Sequence, residues 1–278
     1  MSIAYYNGDF CDYDKIRIPL SDRSVFFGDG IYDAAVGRMG KIYLENEHIE
    51  RFISNAGKMN IPFHLGKSDL SELLHKTVML NGFSEYFVYF QLTRYSDVRN
   101  HAYPNTEKSN LLITVREHIF SSPDQKLKLM TEPDIRYLMC NVKTLNLLPA
   151  VLAAKKAEES GCDETVFIRN GTVTECAHSN ISIIQNGTLY THPKNRLILP
   201  GITRERLLFK CEELAIPYKE SAFTEKELKE ADEVLITSTS KLCKMASEID
   251  GIKINTEKNS IGKRLVLALY DDFKDLTS

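Results

Sequence analysis

Four two-residue turn signals constrain this chain more than anything else in it: Asn7-Gly8, Met39-Gly40, Asn170-Gly171 and Asn186-Gly187. Such short connections between strand-like runs join antiparallel neighbours, because parallel neighbours need a crossover of a dozen or more residues. Around them, strand-like and helix-like periods alternate irregularly, which favours mixed sheets over a doubly wound parallel fold. The first part opens with a strand at Ile3 to Tyr6, and a hairpin pairs Ala34 to Arg38 with Lys41 to Leu44. Glu45 to Asn60 places Ile49, Phe52, Ile53 and Ala56 at helical spacing. A second amphipathic helix at Asp69 to Leu80 precedes strands at Tyr86 to Thr93 and Leu111 to Val115. A polar stretch containing Ser121-Ser122-Pro123-Asp124 then marks a boundary. The expectation is an α+β chain with a smaller domain over residues 1–118, a linker at 119–124 and a larger domain over 125–278 that carries Lys143. That second domain reads as strands at Lys126 to Met130, Thr165 to Ile168 and Glu233 to Ile236, with helices at Leu147 to Ser160, Thr203 to Leu214 and Ile261 to Phe273. Pro149 is tolerated in the first turn of the first of these helices, and Gly161 supplies its stop.

Charge and cysteine usage narrow the function classes. Lys plus Arg total 35 against 38 for Asp plus Glu, with no basic stripe able to track a phosphate backbone, so nucleic acid is not an expected partner. No run approaches the roughly 18 apolar residues of a membrane span, and no basic-then-apolar leader opens the sequence. A soluble, cytoplasmic protein is expected. The six cysteines stand singly, and Cys176 with His178 has no further ligand at metal spacing, so they read as reduced and no metal is expected.

Several residues carry possible chemistry, each beside a plainer reading. Lys143 interrupts a neutral, largely apolar stretch from Cys140 to Leu148, where desolvation favours an uncharged amine able to condense with a carbonyl; a stem lying on apolar surface with its head in water fits as well. Leu199-Pro200-Gly201-Ile202-Thr203 leads from an apolar strand into a helix whose first amides suit a phosphate, although most such turns bind nothing. Thr237-Ser238-Thr239-Ser240 offers a second row of hydroxyls and amides, or only a capped turn. Glu175 breaks the apolar alternation after Thr172-Val173-Thr174 and suits a pyridine nitrogen, or is a surface glutamate. Arg99 and His101, in a polar loop, can jointly meet a carboxylate, or are solvated. The helical period places Arg51 off the apolar face, as a solvated residue.

Taken in order, five motifs resemble the class IV pyridoxal-phosphate aminotransferases, nearest to D-amino acid aminotransferases. They are Asp22 to Tyr32 (DRSVFFGDGIY), Asn46 to Arg51 (NEHIER), Lys143 to Leu148 (KTLNLL), Thr172 to Glu175 (TVTE) and Pro200 to Arg204 (PGITR). The resemblance implies a fold-type IV architecture, pyridoxal 5′-phosphate as cofactor, and a homodimer acting on amino acids and 2-oxo acids. It makes Lys143 the Schiff-base and proton-transfer residue and pairs Glu175 with the ring nitrogen. Arg51, Gly201, Ile202, Thr203, Ser238 and Thr239 fall to the phosphate, and Leu199, Ser179 and Asn180 to the ring. Tyr32, Arg99 and His101 match the group that traps a D-amino acid carboxylate, the loop of the latter two reaching the partner's site. The implied reaction is transamination between a D-amino acid such as D-alanine and a 2-oxo acid such as 2-oxoglutarate. Aminodeoxychorismate lyase and branched-chain or R-amine transaminases are the alternatives. The sequence departs from the family pattern at Asp33, where a glutamate is usual, at Cys176-Ala177-His178, and at Pro149.

Overall fold

The turn signals become antiparallel hairpins in the computed structural model, which describes residues 2–254 and 260–278; element counts below refer to these. Asn7, Met39, Asn170 and Asn186 each take a positive φ near 50° ahead of their glycines, the backbone a two-residue hairpin demands. The chain divides into two units. The first comprises the chain up to Ile119, Val142–Asn146 and Asp275–Ser278; the second comprises Phe120–Asn141 and Leu147–Lys274. Lys143, expected in the C-terminal domain, therefore belongs with the first unit.

The first unit has β1 (Ile3–Tyr6), β2 (Asp9–Asp12), α1 (Arg23–Phe27), β3 (Gly30–Arg38), β4 (Lys41–Ile42), α2 (Glu45–Lys58), α3 (Lys67–Asn81), β5 (Glu85–Thr93) and β6 (Asn110–Glu117). Its six strands run β2-β1-β6-β5-β3-β4, all antiparallel. Alternate residues of β5, namely Tyr86, Val88, Phe90 and Leu92, are fully buried. They meet Ile49, Phe52 and Ala56 of α2 and Leu70, Leu74 and Val78 of α3, each set at the spacing of one helical face. Phe52 packs on Phe90 with ring centroids 4.8 Å apart. The hairpin at Met39-Gly40 pairs over only two rungs, fewer than expected. Leu44 adopts a left-handed φ of 51° as the residue before α2, which turns the chain out of the sheet, while β3 pairs along its whole length with β5.

The second unit has β7 (Lys126–Pro133), α4 (Leu148–Glu159), β8 (Glu164–Arg169), β9 (Thr172–Cys176), β10 (Asn180–Gln185), β11 (Thr188–Thr191), α5 (Ile202–Glu213), β12 (Tyr218–Glu220), α6 (Glu225–Lys229), β13 (Glu233–Ser238), β14 (Leu242–Ile249), β15 (Ile252–Lys253) and α7 (Ile261–Leu276). Its sheet runs β12-β11-β10-β13-β14-β7-β8-β9, with β15 on β14. The β11·β12, β14·β7 and β7·β8 pairs are parallel and the rest antiparallel, giving the mixed sheet that the irregular periodicity implied. Pro149 falls in the first turn of α4. Together the units make an α+β fold, and all six cysteines are free thiols. Among the described residues no helix is long and apolar enough to cross a membrane.

Because Phe52 is wholly buried against Phe90, Phe52→Ala should destabilise the first unit by about 3–5 kcal/mol, the range for emptying a buried aromatic site. Urea denaturation read from the native tyrosine signal of the full chain checks this.

Candidate active site

Lys143 is held by its backbone. The Tyr32 amide donates to the Lys143 carbonyl at 2.9 Å and the Leu145 amide to the Gly30 carbonyl at 3.1 Å, with Thr144 bridged antiparallel to Ile31. The segment thus forms a short extra rung on the start of β3. Gly30 is required for this closeness, because a Cβ there would meet Leu145 Cδ1 and the Leu92 carbonyl at 2.7 Å. Beside it Asp29 accepts from Arg23 Nε at 2.7 Å and Arg94 Nε at 3.0 Å, which explains the charged residue inside the Phe-Gly-Asp-Gly run. The half-buried Lys143 side chain lays Nζ 4.4 Å from the centroid of the Tyr32 ring. Tyr32 in turn stacks on Tyr89, centroids 5.3 Å apart.

On β3 next to Tyr32, Asp33 is fully buried. It accepts from Arg51 Nε at 2.8 Å and Arg51 Nη2 at 2.7 Å, and pairs with His48 Nδ1 at 2.8 Å. Burial alone would push the Asp33 carboxyl up, but the Arg51 charge and the bonds from Arg51 and His48 hold it well below the usual carboxylate range. Burial, with the charges of Arg51 and Lys143, depresses the His48 imidazole against the opposing pull of Asp33. Arg51 is therefore no solvated residue: its side chain is only 13% exposed. The helical period missed this because its partner lies on a strand.

Arg99 and His101 sit apart from these contacts, on an exposed loop. The Arg99 guanidinium lies 5.2 Å from the Phe27 centroid and the His101 ring 5.2 Å from the same ring. Arg23 secures the loop by donating to the carbonyls of Asn100 at 2.6 Å and His101 at 3.3 Å. Among the described residues no hydrogen bond joins Tyr32 to either.

In the second unit, the buried Glu175 on β9 collects three donors. Asn180 Nδ2 reaches it at 3.1 Å and the Leu199 amide at 2.9 Å, both on Oε2, and Arg136 Nη1 binds Oε1. Arg136 was not expected, since it stands in a loop 39 residues away. Its other edge takes Asp134 two-pronged, both contacts 3.0 Å, and its Cζ lies 4.7 Å from the Phe167 centroid. Gly201, Ile202 and Thr203 start α5, which has no side-chain cap. The first-turn amides are thus left without the usual hydroxyl or carboxylate partner. Ser238 closes β13, its hydroxyl accepting from the Lys241 amide at 3.2 Å, and Thr239 follows half-buried. Ser179 donates to the buried Glu164 at 2.5 Å, and His178 Nδ1 approaches the same oxygen at 2.9 Å. His178, half exposed, is thereby tied to Glu164.

The amino-transferase class IV family profile matches residues 30–249. The chain is 34% identical to a D-alanine aminotransferase of Staphylococcus haemolyticus over 261 residues, 93% of each chain. It is 36% identical to one of Listeria monocytogenes over 253 residues, 89% of this chain and 88% of the relative. The chain belongs to the class IV aminotransferases. A branched-chain aminotransferase of Thermoproteus uzoniensis shares the fold with a TM-score of 0.89 at 21% identity, covering 98% of this chain and 95% of its own.

This enzyme class works with pyridoxal 5′-phosphate, and the chemistry of the donor set fits that group. A single half-buried amine at Lys143 suits an aldehyde, the clamped Glu175 carboxylate suits a pyridinium, and the uncapped amides of α5 suit a phosphate. The ion pair behind Glu175, Asp134 with Arg136, is also measurable. Arg136 and Arg169 hold the Asp134 carboxyl down to about 2 against its burial. A depressed folded pKa contributes stability that is complete above the unfolded value of about 3.9 and lost as pH falls through the folded one. The stability gap between wild type and Asp134→Asn should therefore be full at pH 6 and shrink steadily from about pH 4 to about pH 2, as urea midpoints across that range will register.

Proposed function

We propose that this aminotransferase exchanges the amino group between a D-amino acid such as D-alanine and a 2-oxo acid such as 2-oxoglutarate, giving pyruvate and D-glutamate, in a cytoplasmic setting. The observation that carries this reading is the 34–36% identity to proteins named D-alanine aminotransferase over about nine-tenths of the chain. The cofactor, when bound, supplies an electron sink that acidifies the substrate α-hydrogen. Lys143 is the amine that would anchor it and would carry the α-proton between substrate and cofactor. Glu175, fixed by Arg136, Asn180 and the Leu199 amide, would hold a proton at the pyridine nitrogen. Arg51 and the amides and hydroxyls of Gly201, Ile202, Thr203, Ser238 and Thr239 bind the phosphate. Leu199, Ser179 and Asn180 would line the ring. Tyr32, Arg99 and His101 receive the substrate carboxylate, which orients the α-hydrogen toward Lys143 and sets handedness. Glu164, through Ser179 and His178, steadies the turn that follows Glu175.

A homodimer belongs to the same reading. Leu148, Val151 and Leu152 share one face of α4 at helical spacing, and each is more than half exposed. An exposed apolar helix face of this kind suits a subunit contact and supports that reading. The Arg99 to His101 loop then serves the partner's site.

In separate cuvettes, D-alanine should bleach the visible absorbance of the bound cofactor and L-leucine should not, and Lys143→Ala should abolish the response. Bleaching by L-leucine alone sinks the substrate assignment. In gel filtration with light scattering, wild type should run as a dimer and Leu148→Glu with Leu152→Glu as a less active monomer; an equally active wild-type monomer contradicts the shared-site reading.

A further inference from the structure

Asp33 stands where the family usually places a glutamate. Its carboxylate is wholly buried, and each oxygen is committed. Oδ2 accepts from Arg51 Nε, and Oδ1 accepts from Arg51 Nη2, from the Ala34 amide at 2.8 Å and from His48 Nδ1. His48 and Arg51 are three residues apart on α2, so one strand residue grips one face of that helix at two points. A two-pronged contact through Nε and Nη2 fixes both the plane and the heading of a guanidinium, which a single contact leaves free to rotate. The Arg51 side chain is otherwise long and rotamer-rich, and holding it in place beforehand removes an ordering cost from whatever it later binds.

We propose that Asp33 is a positioning residue for the cofactor phosphate: it presets the Arg51 guanidinium, and His48 secures Asp33 in turn. The inference rests on the reading of Arg51 as a phosphate ligand and adds the device that makes Arg51 selective. A positioning role differs from a merely structural one in what it changes. Loss of a structural residue weakens the fold and lowers affinity for any ligand alike. Loss of a residue that aims a phosphate ligand lowers affinity for pyridoxal phosphate and leaves affinity for pyridoxal, which lacks the phosphate, where it was.

The test is equilibrium dialysis of the full-length enzyme against graded pyridoxal 5′-phosphate and, separately, pyridoxal, for wild type, Asp33→Asn, Arg51→Gln and the double variant. Asp33→Asn should weaken phosphate-form binding on the order of 10- to 100-fold, the size of one charge-assisted hydrogen bond, with pyridoxal binding unchanged. In the Arg51→Gln background the same change should have no further effect, since Asp33 acts through Arg51. Asp33→Glu, which keeps the charge and shifts the fork by one methylene, should lower the preference for the phosphate form in the same direction. A folded Asp33→Asn or Asp33→Glu enzyme with the wild-type preference overturns the proposal. So does failure of both variants to fold, which makes Asp33 a folding residue, and so does an undiminished Asp33→Asn effect without Arg51. A wild type with no preference for the phosphate form overturns the Arg51 assignment beneath it. Loss of the D-alanine response alone leaves this result standing.

Discussion

The main-chain rung between Tyr32 and Lys143 is the contact on which the chemistry of the first unit depends. A lysine on a free loop would sample many positions; one whose carbonyl is bound by a strand amide and whose next two residues are tied to the same strand has a fixed origin. What that strand offers follows from its period of two. Gly30 permits the approach, Tyr32 places its ring beneath the Lys143 amine, and Asp33 turns to the opposite face and grips α2. Consecutive residues of β3 thus serve the amine on one side and the guanidinium on the other. The long ladder with β5 keeps β3 straight enough for both.

The second unit solves a different problem, that of keeping carboxylates in place where water is scarce. A buried charge left unpaired is costly, and removing one partner of a buried pair is worse than never having had it. Here the charges alternate in a chain, Asp134 to Arg136 to Glu175, with Arg169 closing on Asp134 at 3.2 Å. Every carboxylate in that chain has two or more donors, so its direction is over-determined. Rigidity of this kind suits the ring-nitrogen contact proposed for Glu175, because a small rotation of the carboxylate would break it.

The parts of the fold legible in the sequence are those whose signal is local. Asn170-Gly171 and Asn186-Gly187 announce hairpins because the backbone they need is one these residues adopt, and Phe52 and Ala56 announce the buried face of α2 by spacing alone. Lys143 is different: its anchor lies over a hundred residues earlier, and no local pattern separates it from a lysine resting on apolar surface. It was legible only through five motifs standing in order. Arg51 lies off the apolar stripe of α2, yet it is half-buried, because a carboxylate from β3 replaces solvent as its partner. Arg136 left no mark at all, as both its neighbours in sequence and its position in a loop are unremarkable, and its meaning comes from Glu175. Asp33 and His178, which depart from the family pattern, have their partners in Arg51 of α2 and Glu164 of β8, far from them in sequence.

Asn180 shows how few atoms join the two functional groups of the second unit. Its amide nitrogen donates both to Glu175 and to the Leu199 carbonyl at 2.9 Å. Its amide oxygen lies 2.1 Å from where a Cβ on Gly201 would sit, so the start of α5 can come this close only as glycine. Aspartate in its place has the same shape and no donor, and it would set a second negative charge against Glu175. Leucine has neither bond and could not carry the strand carboxylate and the helix start on one side chain. The Pro-Gly turn ahead of α5 and the Glu175 strand, which look independent in sequence, are therefore one assembly with Asn180 as the piece between them, and the geometry of each constrains the other.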